Sequence, residues 1–144
     1  MTEIAFHFNV ADKLVYSCRL LRKAYLSGAN VVVTAGPEIL TEIDQLLWSF
    51  SPTDFVPHCR TAASENNLSA TPVLLSESLL DCPHYGVLIN LARGTPSGFE
   101  RFERVIEVVT QADDDRLAAR GRWKYYADRG YAMKRHDLAA GEGA

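Results

Sequence analysis

The sequence predicts a three-layer α/β fold, a mostly parallel sheet flanked by helices, and two observations carry that prediction. Short apolar runs at Ile4–Phe8, Val31–Val33, Pro72–Leu75 and Val87–Leu91 have the length of buried strands. Stretches with apolar residues at every third or fourth position separate several of them, and strands alternating with helices make parallel pairs through right-handed crossovers.

Ile4-Ala5-Phe6-His7-Phe8 opens the chain as a strand and leads through Asn9 to Asp12, an N-cap residue. Leu14, Cys18, Leu21 and Tyr25 then form the apolar stripe of a helix over Lys13–Ser27, with Gly28 placed to end it. Val31-Val32-Val33 is a buried strand, Ala35-Gly36 a turn, and Pro37 the first turn of a helix with the stripe Ile39-Leu40-Ile43-Leu46-Leu47. Ser49 to Asp54 breaks that helix, Phe55-Val56-Pro57 suits a short edge strand, and Thr61 to Ser69 reads as polar loop. After the strands at Pro72–Leu75 and Val87–Leu91, Phe99, Phe102, Val105 and Ile106 suit a helix, although Val105–Thr110 also contains a strand pattern. Asp113–Asp128 is the final helix. Its three leading aspartates complement the helix dipole, and one of them is placed to cap it.

At 144 residues the chain is long enough for one domain, and 47% hydrophobic content is enough to form a core without disulfides. The domain is expected over residues 1–131. Residues 132–144 thin into Met133-Lys134-Arg135-His136 and then Ala, Gly and Glu, so they are expected to be a fraying, partly disordered tail. Purely apolar runs stop at three to five residues, far short of the roughly eighteen a membrane span needs. Met1-Thr2-Glu3-Ile4 lacks the basic flank and apolar run of a signal peptide, so the protein is expected in the cytoplasm, away from membranes. Cys18, Cys59 and Cys82 are widely spaced, which suits free thiols in a reducing compartment.

The net charge of −3 conceals an uneven distribution. Residues 1–112 hold eight Lys/Arg against twelve Asp/Glu, whereas residues 116–135 hold seven against Asp128 alone. Broad nucleic-acid binding is disfavoured by the first balance, but the second provides a local basic surface.

No enzyme motif stands out. Thr34-Ala35-Gly36-Pro37 offers a helix N-terminus to phosphate, but G-x-G-x-x-G and the P-loop are both absent, so an ordinary turn is the stronger reading. The sheet is thus Rossmann-like without a nucleotide-binding motif. His7, His58, His84 and His136 never fall at helical ligand spacing, so no metal or other cofactor is expected, although a site assembled through space stays open. Cys59 beside His58 invites a nucleophile, yet neighbours on extended backbone point to opposite faces.

Two surface-like constellations remain. Trp48 and Phe55-Val56-Pro57-His58 place large apolar groups among loop breakers, which suits either core or an exposed patch. On the final helix, Arg116, Arg120, Trp123, Lys124 and Ala127 share one cationic and aromatic face, with Leu117, Gly121 and Tyr125 expected against the sheet. A solvated face with Trp123 turned inward is the plainer alternative.

Taken together, Gly28 with Val31-Val32-Val33, the block Leu47-Trp48-Ser49-Phe50-Ser51-Pro52 with Phe55-Val56-Pro57-His58, and the run Leu117 to Tyr126 resemble the chi subunits of bacterial DNA polymerase III holoenzyme. The likeness covers most of residues 3–131. It implies a non-catalytic clamp-loader accessory that binds the psi subunit and the acidic C-terminal tail of single-stranded-DNA-binding protein, touching DNA only indirectly. Trp48, Phe55, Val56 and Pro57 match the family's psi-binding patch; Arg116, Arg120, Trp123 and Lys124 match, more loosely, its tail pocket. One departure is that this chain has no tryptophan near its C-terminus, which leaves Tyr131 or Met133 to close the pocket. Two rivals stand beside this reading: a direct nucleic-acid binder using the basic helix, and a small enzyme on a nucleotide-binding-like sheet.

Overall fold

The computed structural model describes residues 2–49, 58–60, 73–79, 82 and 84–138, with backbone only at 49 and 58–60. The elements are β1 (Glu3–Val10), α1 (Lys13–Leu26), β2 (Val31–Thr34), α2 (Pro37–Ser49), β3 (His58–Arg60), β4 (Val73–Ser76) and β5 (Val87–Asn90). A single 3-10 turn (Phe99–Arg101), β6 (Arg104–Thr110), α3 (Asp113–Asp128) and β7 (Ala132–Asp137) complete them. The strands form one seven-stranded sheet in the order β3-β4-β2-β5-β6-β1-β7, and every neighbouring pair is parallel.

Local chemistry sets the early boundaries as the sequence suggests. The Asp12 carboxylate accepts from the N–H groups of Leu14 and Val15, and Gly28, at φ 85°, takes the left-handed conformation that releases the chain from α1. Pro37 is the first residue of α2.

The alternation of side chains along each strand divides the core between the two faces of the sheet. Val31, Val33, Val73, Leu75 and Ile89 pack with Cys18 and Leu21 of α1 and Leu40, Ile43 and Leu47 of α2. Val32, Leu74, Leu88, Ile4, Phe6 and Val105 pack on the other face with Ala119 and Tyr126 of α3 and with Phe99 and Phe102. The three layers are therefore α1 and α2, the sheet, and α3.

Four expectations need correction. Val105 and Ile106 belong to β6, and the helical pattern before them shrinks to one turn that follows Gly98 at φ 93°. Residues 132–137 do not fray: β7 pairs with β1 from Glu3 opposite Ala132 to Phe8 opposite Asp137, anchored by Met133 and Tyr131 against one core and Leu138 against the other. No leading aspartate caps α3; its N-cap is Ala112. Asp115 instead accepts from the Thr110 N–H and hydroxyl at 2.8 and 3.0 Å and from Lys13 at 2.9 Å, tying α3 to β6 and α1. Finally, Leu117 is 68% exposed and Tyr125 is also exposed, whereas Ala119, Arg122 and Tyr126 are buried, so the Leu117, Gly121 and Tyr125 stripe faces solvent. A Cβ on Gly121 would meet nothing within 4 Å, so no close approach requires that glycine. The expectations for Phe50–Pro57, Thr61–Ser69 and Gly141–Ala144 lie outside the described residues.

Candidate functional site

β1 and β6 are neighbours, yet β1 leads into α1 on one face while β6 leads into α3 on the other. Their carboxyl ends therefore diverge, and ligand crevices in open α/β sheets form at such points. A cleft of about 380 Å³ lies there, between α3 and the ends of β1, β6 and β7. Asn9 shapes one side of it. Its φ of 61° accompanies a register break between His7 and Val10, and its amide donates to Asp137 at 2.8 Å.

Arg116, Arg120 and Trp123 of α3 line this cleft together, with Phe6, Phe8 and Ala119 supplying apolar surface. Trp123 is half-buried and meets Phe6 edge to face at 5.1 Å. The sequence reading missed Arg135. It reaches the same cleft from β7, its guanidinium 5.1 Å from the Phe8 ring and 5.9 Å from the Trp123 ring. Only pairing of β7 with β1 places it there, and residues read as a frayed tail give no such signal. Lys124 is exposed and is not part of the lining, because it sits about 100° further round the helix from Trp123. No lining residue is acidic, and Arg116 and Arg120 make no ion pair among the described residues. Three guanidinium groups around an aromatic slot can hold carboxylates by paired hydrogen bonds and an apolar side chain by contact.

Beneath the cleft, α3 is pinned by a buried polar cluster. Arg122 donates to Glu107 at 2.8 Å, the Tyr126 hydroxyl donates at 2.6 Å, and the Asn90 amide reaches both carboxylate oxygens at 3.1 and 3.0 Å. Burial pushes the Glu107 carboxyl above its ordinary range, opposed by Arg122, Tyr126 and Asn90. Arg122 also donates to the Arg93 carbonyl, which fixes the loop after β5.

The other sequence candidates scatter. Trp48 is 63% exposed at the end of α2, on the opposite layer, while Phe55, Val56 and Pro57 lie outside the described residues. Gly36 has neither a positive φ nor a close neighbour, so the turn before α2 has no feature of a phosphate loop. His7 and His136, far apart in sequence, stand opposite each other on β1 and β7 with rings 4.6 Å apart. Among the described residues no three His, Cys, Asp or Glu side chains gather to hold a metal, and no helix is long and apolar enough to cross a membrane.

Comparison with known proteins adds the family. The structure resembles the C-terminal domain of the DEAD-box protein Dbp5 with a TM-score of 0.54 at 14% identity, over 96% of this chain and 91% of that one, a likeness of fold alone. The DNA polymerase III subunit chi of Haemophilus influenzae is 27% identical over 124 residues, 85% of each chain. That of Pseudomonas aeruginosa is 32% identical over 143 residues, 96% of this chain and 98% of the relative. The family model of the DNA polymerase III chi subunit, HolC, matches residues 1–134, and the chain belongs to that family.

Proposed function

We propose that this protein is a non-catalytic accessory subunit of the DNA polymerase III clamp loader. In this reading it works in the cytoplasm during DNA replication, bridging the psi subunit to the acidic C-terminal tail of single-stranded-DNA-binding protein. The observation that carries the tail half is the cleft itself, where Arg116, Arg120 and Arg135 surround Trp123 and Phe8 with no carboxylate among the lining residues. A tail ending in an aromatic residue and a free carboxylate needs guanidinium donors beside an apolar slot. For the psi half, the support is the exposure of Trp48, which continues in sequence toward Phe55, Val56 and Pro57. Trp48 lies on the layer opposite the cleft, which leaves room for both partners to be held at once.

A short tail buries little area and is ordered on binding, so single-tail affinity is modest and recruitment gains from several tails on one partner. The test is titration of a tail peptide into wild type, Arg120→Ala, Arg120→Glu, Trp123→Ala and Lys124→Ala at low and physiological salt. Arg120→Glu weakens binding more than Arg120→Ala, Trp123→Ala weakens it at every salt concentration, and Lys124→Ala costs least. Equal affinity across the set, or tighter binding to a bare oligonucleotide than to the peptide, refutes the reading.

A further inference from the structure

α3 covers the β6-β1-β7 side of one face, but the other face is covered unevenly. There α1 packs over β6 and β2 and α2 over β4, which leaves the edge strand β7 and much of β1 uncovered, although Tyr16 of α1 reaches His7. The uncovered surface forms a groove of about 390 Å³ between α1 and β7. Its apolar lining is Ala5, Ile106, Leu20 and Ala24, the facing imidazoles of His7 and His136 lie on β1 and β7, and Lys23, Arg104 and Lys134 add cations. Glu3 is the single carboxylate of the lining and is already paired with Lys134 at 2.6 Å. Lys23 and Arg104 are exposed and make no ion pair among the described residues. Burial, with His136, Lys23 and Arg104 nearby, holds His7 neutral down to about pH 4, so it adds no charge at neutral pH.

We propose that this groove docks an amphipathic helix of a partner protein, apolar on the face toward Ala5, Leu20, Ala24 and Ile106 and acidic along its flanks. The dimensions suit that occupant. A helix is about 10 Å across, the width of two strands spaced about 4.8 Å apart, and strands the length of β7 and β1 span roughly 20 to 26 Å. Charge complementarity selects acidic flanks, since three cations, Lys23, Arg104 and Lys134, line the groove against the single carboxylate of Glu3, which lies between Arg104 and Lys134. The helix would complete the layer that α1 and α2 begin, using the helix-in-groove mode of recognition. This site is separate from the α3 cleft, so it stands or falls independently of tail binding.

The experiment uses the full isotope-labelled chain carrying Arg120→Glu, which removes competition from the α3 cleft. It is titrated with a synthetic leucine-faced helical peptide flanked by glutamates, with the lysine-flanked counterpart, and with a single-stranded oligonucleotide. Saturable binding of the glutamate peptide is expected, with amide shifts at Ala5, Leu20, Ile106 and Lys134. Lys23→Glu with Arg104→Glu should weaken it about tenfold or more while circular dichroism shows the fold unchanged. The double reversal in an otherwise wild-type chain leaves tail-peptide affinity within about twofold. No saturable binding, equal binding of the lysine peptide, shifts confined to α3, or preference for the oligonucleotide overturns the proposal. So does sedimentation showing self-association through this face, which would make a second copy the occupant.

Discussion

Replacing Arg122 by methionine removes the one cation that, among the described residues, contacts the fully buried Glu107 carboxylate. The ion pair is 3% and 0% exposed, so solvent cannot take over the lost partner, and Tyr126 and Asn90 alone must hold the charge. Breaking a buried pair from one side costs about 3–5 kcal/mol. Against a typical total of about 5–15 kcal/mol, that is about a fifth of the stability or more. At roughly 3 °C per kcal/mol for a chain of this size, the melting temperature should fall by about 10–15 °C. Urea unfolding followed by circular dichroism reads the loss as a lower midpoint at unchanged slope. Adding Glu107→Gln to Arg122→Met removes the stranded charge and should recover at least half of the deficit. The pH dependence has a definite sign. The folded-state carboxyl titrates above its ordinary value of 4.5, so its stability contribution is full below that pH and lost as pH rises through the folded value. Losing Arg122 raises that folded value further, so the variant's deficit should be smallest in acid and largest at neutral pH. A single-variant cost under about 1 kcal/mol, or a double variant as unstable as the single, refutes the stranded-charge account.

Other expectations follow from the same geometry. Trp48→Ala and Phe55→Ala should each weaken a psi complex by about 2 kcal/mol or more while leaving tail-peptide affinity intact, measured by calorimetry with both partners. Unfolding of the isolated Phe55→Ala chain would instead make Phe55 a core residue. His7 shares a hydrogen bond with the Tyr16 hydroxyl, and burial, with His136, Lys23 and Arg104, lowers its pKa from 6.5 to about 4. Stability should therefore decline as pH falls from 6.5 toward 4, and His7→Gln, which keeps a polar group but does not titrate, should flatten that slope. An unchanged slope in His7→Gln counts against His7 as its source.

The strands and first two helices were legible because their information is local. Val31-Val32-Val33 is apolar throughout because both faces of β2 are buried, Val31 and Val33 in one core and Val32 in the other, and Asp12, Gly28 and Pro37 mark boundaries by their own backbone chemistry. β7 was illegible for the opposite reason. Met133-Lys134-Arg135-His136 has little to bury, and what orders it is pairing with β1, more than a hundred residues earlier in the chain. The same non-local contact delivers Arg135 to the cleft and Lys134 to the groove on the other face, so one unread strand concealed part of both surfaces.

For α3 the obstacle was a buried charge. A reading that assigns every arginine to solvent turns Arg122 outward and leaves Leu117, Gly121 and Tyr125 as the inward stripe. Once Glu107 is recognised as interior, Arg122 must face it, and the helix rotates so that Ala119, Arg122 and Tyr126 point inward. That rotation also redistributes the basic segment. Of its seven cations, Arg122 is neutralised in the core and Lys134 is paired with Glu3. Arg116, Arg120 and Arg135 converge on the cleft, while Arg129 stacks on Tyr125, 3.5 Å from its ring centroid, and Lys124 faces outward. A concentrated group of three arginines beside Trp123 and Phe8 suits a short acidic peptide better than a long phosphate backbone, which favours cations spread along a track with exposed stacking rings.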